Sequence, residues 1–377
     1  MSYEEILKKY PQLKEREQEE IKKGYDHGLS EDKIEFFANP KFDSWQMAQI
    51  RLGFQNGLTF DEIKLYIDFK DPNQMSQIRA GFETGLTFEQ VKSYAKPELT
   101  WLQMEVIRMA LQRKLNLTDE QFQLCSNSHF TSEELNQILS GFEKGLSVDK
   151  VAIYAKPCYD RGQMNEIRLG LENNLSNEQV EVYANPRYDF NKMKLLRCGF
   201  VHGFTQEQVE IYAHPEFSIE TMNLIFNNLR ARTLADDLIK VYAKSDYNCE
   251  QMVEIRKGLE SNLSRKQIEL YANPEFDALQ MSIIRQSFKF LNDEQIKTYA
   301  NPKLTVDQMQ LVCYAYKCNL PEKQIEQILN KFEREVPHTI ADDILDNDNN
   351  SEYPNHIKHT EDVNRDQNGN KLEGNER

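Results

Sequence analysis

The chain has 377 residues, of which 39% are hydrophobic and 28% are charged, and its formal net charge at pH 7 is −15. No apolar run approaches the roughly 20 residues that a membrane-spanning helix needs, so a membrane protein is not expected. The acidic charge also disfavours sequence-independent binding to the phosphate backbone of nucleic acid and favours a protein partner with a basic surface.

The N-terminal residues and the cysteines indicate the compartment. The first residues, MSYEEILKKYPQLKEREQEE, lack the apolar core and the small-residue cleavage site of a secretion signal. The six cysteines are spread along the chain and form no Cys-x-x-Cys pair, as expected for reduced thiols. We therefore expect a cytoplasmic protein.

Between residues 18 and 335 the sequence repeats itself about every 29 residues. One position of each repeat holds a methionine, with Leu135 in one repeat and Gln18 in a degenerate first one. The methionines are Met47, Met75, Met104, Met164, Met193, Met222, Met252, Met281 and Met309. A fixed period of this length indicates an array of stacked units. Residues 1–17, charged and helix-prone, are predicted to form an N-terminal cap helix before this array.

Each repeat carries the signals of two helices. Around Met164, Asp160 and Gln163 have the spacing of a capping box, which predicts the start of the first helix. Ser176 and Gln179 predict the start of the second helix in the same way. Gly or Asn follows the first helix, as at many helix C-termini, and a proline usually ends the second. We therefore predict an all-α protein, an α-solenoid of about eleven stacked helical hairpins.

The repeat is similar to one found in a known group of proteins. The strings YANPEFDALQMSIIRQSF and YAKPCYDRGQMNEIRLGLENNL resemble a tandem repeat of largely uncharacterised proteins of low-GC Gram-positive bacteria and their mobile elements. The resemblance covers roughly residues 18–329 and transfers no activity or catalytic residue. It implies a bacterial cytoplasmic protein of a kind carried by phages, plasmids or conjugative elements.

A glycine or another small residue recurs inside the first helix. These residues are Gly24, Gly53, Gly81, Ala110, Gly141, Gly170, Gly199 and Gly258. A glycine inside a helix costs about 1 kcal/mol relative to alanine. Its recurrence therefore predicts that two helices approach closely at this position.

An arginine follows the core isoleucine, or its equivalent, in most repeats. The arginines are Arg51, Arg79, Arg108, Arg168, Arg197, Arg256 and Arg285. One interpretation is a basic stripe for phosphates; the other is that each arginine packs beside the core and pairs with a neighbouring repeat. We favour the structural role, because Leu139, Phe226 and Cys313 interrupt the series and the chain is acidic.

A tyrosine recurs near the end of the second helix. The tyrosines are Tyr66, Tyr94, Tyr154, Tyr183, Tyr212, Tyr242, Tyr271 and Tyr299. They would suit a stacking platform for single-stranded nucleic acid. We favour a core role, in which the hydroxyl bonds to a neighbouring element.

The two tryptophans are the candidate partner-binding residues. Trp45 and Trp101 lie in the first turn of a first helix, where other repeats have small, polar or aliphatic residues. Large aromatic residues at variable positions are typical anchors of protein interfaces. A local packing role is the alternative, and the sequence does not decide between the two.

The C-terminal residues 336–377 differ from the repeats. Ten Asp or Glu against four Lys or Arg give this segment −6 of the net charge, and its composition predicts a disordered acidic tail. Calcium-loop spacing occurs in the tail, but Gln367 stands where the loop needs glycine; the spaced residues are Asp362, Asn364, Asp366, Asn370 and Glu373. No phosphate-binding loop, nucleophile elbow or catalytic triad occurs, so we predict no enzyme activity, no cofactor and no metal site.

These features favour one function over another. Open repeat arrays usually serve recognition, so we expect a non-enzymatic scaffold that binds a basic protein along an extended, net-acidic surface. With the resemblance, a narrower hypothesis is an inhibitor of a host defence or nucleic-acid-handling protein, encoded by a mobile element. The alternative is direct binding of nucleic acid by the arginine and tyrosine series.

Overall fold

The computed structural model describes residues 2–115 and 117–332, and every regular element in these ranges is an α-helix. The predicted all-α architecture is therefore confirmed. The predicted tail, residues 336–377, and the calcium-loop spacing within it lie outside the described residues. Among the described residues, no helix is both long enough and apolar enough to cross a membrane.

Helix α1 (Tyr3–Lys9) comes first and is followed by eleven helical hairpins. The first helices of the hairpins are α2 (Glu15–Asp26), α4 (Ser44–Gln55), α6 (Pro72–Glu83), α8 (Trp101–Gln112), α10 (Ser132–Glu143), α12 (Arg161–Glu172), α14 (Phe190–Val201), α16 (Ile219–Ala231), α18 (Cys249–Glu260), α20 (Ala278–Ser287) and α22 (Val306–Lys317). The second helices are α3 (Glu31–Phe37), α5 (Phe60–Lys64), α7 (Phe88–Tyr94), α9 (Asp119–Cys125), α11 (Val148–Tyr154), α13 (Asn177–Tyr183), α15 (Gln206–Glu210), α17 (Asp236–Tyr242), α19 (Arg265–Glu269), α21 (Asp293–Tyr299) and α23 (Glu322–Phe332).

The chain divides into two compact units between Met281 and Ser282, inside α20. In the first unit, each first helix from α2 to α16 packs against the next first helix, and second helices such as α13 pack against the first helices on either side. This is the stacking of a solenoid. In the second unit, α22 packs against α21 and α23.

Local signals place the helix ends where the sequence predicts them. The Asp160 carboxylate accepts the Gln163 N–H at 2.8 Å, and the Gln163 side chain accepts the Asp160 N–H at 2.9 Å. Helix α4 ends before Gly57, which has a φ of 88° that glycine adopts without strain. The Leu58 N–H then donates to the Gly53 carbonyl oxygen at 2.9 Å and satisfies the helix end.

Rows of apolar side chains, one from each hairpin, form the core. Met164 and Ile167 of α12 are both fully buried, and the equivalent residues of the neighbouring first helices are buried in the same way. The aromatic or leucine residue that follows each proline, such as Leu99 or Tyr188, is also buried. A single hairpin has no second layer to cover these side chains, so the hairpins depend on stacking for their stability.

Candidate functional site

The tyrosine series belongs to the core. Each of its eight rings is 0% exposed. In the third hairpin, a Cβ atom on Gly81 would overlap the hydroxyl oxygen of Tyr94, so the absence of a side chain at Gly81 admits the ring. The Tyr94 hydroxyl donates to the Gln77 carbonyl oxygen at 3.1 Å. The close approach predicted from the recurring glycine is therefore made by a tyrosine side chain of the same hairpin.

Burial also changes the acidity of these tyrosines. The pKa of Tyr94 is raised because the phenolate would lose its hydration, and the nearby Arg108 guanidinium opposes this effect only in part. Burial raises the pKa of Tyr66, Tyr154, Tyr183, Tyr212, Tyr242 and Tyr299 as well. The rings are neutral and covered, so they offer no stacking platform.

Arginines of the first helices link consecutive hairpins. Arg51 is 7% exposed and reaches back to Glu20 of the preceding hairpin, with Nε and Nη2 at 2.9 and 2.8 Å from the same carboxylate oxygen. Arg197 makes the same bidentate contact with Glu166, at 2.8 Å for both nitrogens. We call this contact, from the eighth residue of one first helix to the sixth residue of the preceding one, an arginine bridge.

The other arginine bridges use a glutamine as the acceptor. Arg79 Nε donates to Gln49 at 3.0 Å, and Arg108 Nε donates to Gln77 at 3.0 Å. Arg168 Nε donates to Gln137 at 3.2 Å, and its Nη1 pairs with Glu172 of its own helix. These guanidinium groups are engaged inside the stack, which leaves few of their N–H groups for a phosphate.

Where the acceptor is apolar, the arginine is usually replaced as well. Val106 occupies the sixth position of α8, and Leu139 occupies the eighth position of α10. Leu195 of α14 and Phe226 of α16 form the corresponding pair three hairpins later. At these two places an apolar residue at the acceptor position is followed by an apolar residue in place of the arginine of the next hairpin.

Arg256 differs from the arginines that form a bridge. Arg256 of α18 faces Leu224 at the acceptor position of α16, and its buried Nε–H has no hydrogen-bond partner. Its Nη1 pairs with Glu260 of the same helix at 2.7 Å. Arg285 lies in the second unit, where its Nη2 donates to Ser282 Oγ at 3.4 Å.

Glutamines form a second link, which the sequence analysis missed. Gln163, the third residue of α12, donates from Nε2 to the carbonyl oxygens of Pro186 and Tyr188 at 3.2 and 2.6 Å. We call this contact with the loop before the next first helix a glutamine bridge. Gln46, Gln74, Gln103 and Gln251 form it as well. The spacing identified Gln163 only as a capping residue and assigned no partner to its amide hydrogens.

The two tryptophans lie on the surface. Trp45 is 66% exposed and Trp101 is 37% exposed. Trp101 and Leu102 line a shallow concavity of about 380 Å³, together with Asp71 of the preceding loop and Glu98. These exposed apolar side chains beside carboxylates suit contact with a partner better than packing within the chain.

A larger concavity lies on the first helices of the middle hairpins. It has a volume of about 700 Å³ and is lined by α10, α12 and α14. Phe190, 48% exposed, rests against Gly162, and Arg161 pairs with Glu133 at 3.2 Å at the edge. The lining is mainly polar and holds no nucleophile beside a base, so it suits a binding surface better than a catalytic centre.

An acidic row runs along the second helices. The second residue of the second helix is an exposed Asp or Glu in eight consecutive hairpins: Asp32, Asp61, Glu89, Glu120, Asp149, Glu178, Glu207 and Asp237. A carboxylate at this position interacts favourably with the helix N-terminus. A hydrogen bond from the Ser176 hydroxyl holds the pKa of Glu178 below its ordinary value, so this carboxylate is ionised at neutral pH.

The described residues contain no cluster of three or more His, Cys, Asp or Glu side chains that could hold a metal ion. Cys125 is buried, and desolvation raises its pKa to about 12, so its thiol is protonated at neutral pH and is a poor nucleophile. No protein-family model matches the sequence, and no curated protein matches it either.

Proposed function

We propose that this protein is a non-enzymatic scaffold that binds another protein through the exposed, net-acidic surface of its stacked hairpins. One observation carries the proposal: the tyrosines and arginines that would bind nucleic acid are mostly occupied within the fold. The tyrosines needed for base stacking are buried, and five arginines of the series donate to the preceding hairpin. The exposed groups include the acidic row and isolated large apolar side chains such as Trp45.

The acidic row favours a partner with a basic surface. Consecutive packed helices lie about 8 to 10 Å apart, so the row repeats a negative charge at a regular spacing along the first unit. Such an arrangement attracts a positively charged surface and increases the rate of association, an effect that salt weakens. Trp45 and Trp101 would supply exposed apolar anchors, because tryptophan is frequent among the residues that dominate binding energy.

The narrower form of the proposal is an inhibitor of a host defence or nucleic-acid-handling protein, acting in the bacterial cytoplasm. Proteins that handle nucleic acid present basic surfaces, which the acidic row of this chain complements. The resemblance of the repeat to proteins of bacterial mobile elements supports the same assignment. Direct binding of nucleic acid remains the competing hypothesis, and one experiment separates the two.

The test is an affinity capture with the full chain as bait in bacterial lysate, with and without nuclease treatment, at about 0.1 and 0.5 M salt. A row variant carries Glu89→Gln and Glu178→Gln; a matched control carries Glu220→Gln and Glu275→Gln, which are exposed outside the row. We expect a stoichiometric basic protein that binds the wild type and the control but binds the row variant several-fold more weakly. Nucleic acid recovered without nuclease at low salt and lost at high salt would instead support the alternative.

A further inference from the structure

The contact between the eighth and ninth hairpins lacks the two links that join the other hairpins. For each pair of consecutive first helices from α2 to α18, we call the contact between the two hairpins a joint. In the described residues, the α4–α6, α6–α8 and α12–α14 joints hold both a glutamine bridge and an arginine bridge. The α2–α4 and α10–α12 joints hold an arginine bridge.

Two further joints hold a bridge on one side and an apolar pair on the other. The α8–α10 joint has the glutamine bridge of Gln103 and the pair Val106 and Leu139. The α14–α16 joint has Leu195 opposite Phe226, and Lys192 replaces the glutamine and donates to the Pro215 carbonyl oxygen at 2.8 Å. At each of these joints, a polar side chain bonds to the next loop and an apolar residue faces another apolar residue.

The α16–α18 joint has neither link. Thr221 stands at the glutamine position and makes no glutamine bridge to the next loop. Its hydroxyl accepts a hydrogen bond from Ser218 Oγ at 3.2 Å and forms one hydrogen bond across the joint, with the Cys249 thiol of α18. Leu224 stands at the acceptor position, opposite Arg256. This is the one joint from α2 to α18, within the described residues, at which an arginine faces an apolar side chain.

A buried polar group without a hydrogen-bond partner lies at this joint, the Nε–H of Arg256. The Tyr242 hydroxyl of α17 meets the Asn228 side chain of α16 and makes no hydrogen bond to a backbone carbonyl. In most other hairpins the tyrosine hydroxyl bonds to the carbonyl oxygen of the acceptor residue, as Tyr94 does with Gln77. Here that carbonyl, on Leu224, accepts instead from Asn228, which occupies the usual glycine position, at 2.8 Å.

Packing at the joint is also the loosest. Among consecutive first helices from α2 to α18, α16 and α18 make the least extensive contact. A buried donor without a partner favours any state in which water can reach it. In a repeat array, such a weak interface lets the hairpins on either side separate without unfolding the remainder.

We propose that the array opens reversibly at the α16–α18 joint, which makes this joint a hinge within the unit that precedes Met281. Opening admits water to the Arg256 Nε–H, which has no acceptor in the closed array. The short helix α17 packs against both α16 and α18 and loses part of its support in the open state. Its equivalent α13 packs between α12 and α14, whose joint holds both bridges.

The test measures backbone amide exchange of the full chain by mass spectrometry and compares α17 with α13. We expect exchange in α17 to be about tenfold faster, because one lost hydrogen bond to a charged group shifts a local opening equilibrium by roughly this factor. Two opposite single substitutions remove the mismatch. Leu224→Gln supplies an acceptor, and Arg256→Leu creates an apolar pair like Val106 with Leu139.

Both single variants should slow exchange in α17 to near the rate of α13, whereas the double variant L224Q/R256L restores a mismatch and should exchange as fast as the wild type. At the α14–α16 joint, Leu195→Gln faces Phe226 and should accelerate exchange in α15, which excludes a general stabilising effect of glutamine. The hinge is refuted if α17 exchanges no faster than α13 in the wild type. It is equally refuted if only one single variant, or neither, slows exchange, or if the double variant is as slow as the single ones.

Discussion

At the scale of single residues, one hydroxyl group explains the glycines inside the first helices. Where the second helix has Tyr94, the first helix has Gly81, because a Cβ atom would overlap the hydroxyl. Where the second helix has Cys125 in place of the tyrosine, the first helix has Ala110. In these two hairpins the residues change together because they share one small volume, whereas the hairpin of Tyr242 has Asn228 at the glycine position. A glycine that looks destabilising in isolation is therefore required by a residue of the next helix.

This relation predicts whether replacing such a glycine by alanine stabilises or destabilises the protein. In an exposed helix, Gly→Ala stabilises by about 1 kcal/mol, but Gly81→Ala should destabilise by about 1 to 3 kcal/mol because it overfills the space at Tyr94. Urea denaturation of the variant and the wild type measures the difference. In a Tyr94→Phe background the same alanine should cost distinctly less. An equal cost in both backgrounds would show that the hydroxyl is not the cause.

The buried tyrosines predict unfolding at high pH. In the unfolded chain tyrosine ionises near its ordinary pKa of 10.0, whereas burial raises the folded pKa of Tyr66 and Tyr154 far above that value. Between these values the folded state binds more protons than the unfolded state. Stability is therefore complete below pH 10 and falls as the pH rises above it. Circular dichroism from pH 8 to about 12 should show this loss, with a shallower slope for Tyr94→Phe; a stability that is flat above pH 10 would contradict the assignment.

At the scale of helices, hairpins are matched to their neighbours by one pair of positions. An arginine follows a Glu or Gln acceptor, as at Glu20 with Arg51, and an apolar residue follows an apolar one, as at Val106 with Leu139. A buried charge without a partner is costly, so each substitution at one position changes what the other tolerates. The repeats are therefore not freely interchangeable along the array.

A double-mutant cycle at Glu166 and Arg197 tests this matching. Glu166→Leu leaves two guanidinium nitrogens without their acceptor and should destabilise by about 3 kcal/mol. Adding Arg197→Leu should recover most of that loss, because two apolar residues already occupy this pair at α8–α10. Glu166→Gln keeps an acceptor, as Gln137 does for Arg168, and serves as the mild control. Additive losses in the double variant, measured by urea denaturation, would argue against a shared bridge.

At the scale of the whole molecule, the N-terminal helix covers the first hairpin. Ile6 of α1 is 1% exposed, the Tyr3 and Tyr25 rings meet edge to face with centroids 6.2 Å apart, and Lys9 pairs with Glu35 at 2.6 Å. These contacts bury apolar surface of α2 and α3 that would otherwise be open. The proposed role of residues 1–17 as a cap is compatible with this packing and needs a direct test.

Removal of residues 2–13 should uncover the apolar side of the first hairpin. We expect the shortened chain to self-associate more strongly than the full chain, because an open repeat end attracts another apolar surface. Light scattering after size-exclusion chromatography, over a range of concentrations, measures the change. Lys9→Ala removes only a surface ion pair and should behave as the full chain does. A shortened chain with the mass distribution of the full chain at every concentration would count against a cap.

The functional surface is less predictable than the fold. The period, the capping boxes and the prolines define the helices because these signals act within a few residues. The exposure of Trp45 and the 700 Å³ concavity around Phe190 depend on which side chains of neighbouring hairpins happen to be small, as at Gly162. The acidic residues of the row recur at a fixed position of the sequence. They became a candidate binding surface only because the structure exposes that position in eight successive hairpins.

The sequence by itself determined the all-α class, the number of hairpins and the positions at which helices begin and end, because backbone hydrogen bonding and capping are local. Only the tertiary structure decided the use of each recurring polar residue. Arg197 links its hairpin to Glu166 of the preceding one, and Gln163 is both a cap and a bridge. Arg256 alone faces an apolar acceptor position among the joints from α2 to α18 in the described chain. Those outcomes depend on residues about 30 positions apart that only stacking brings together.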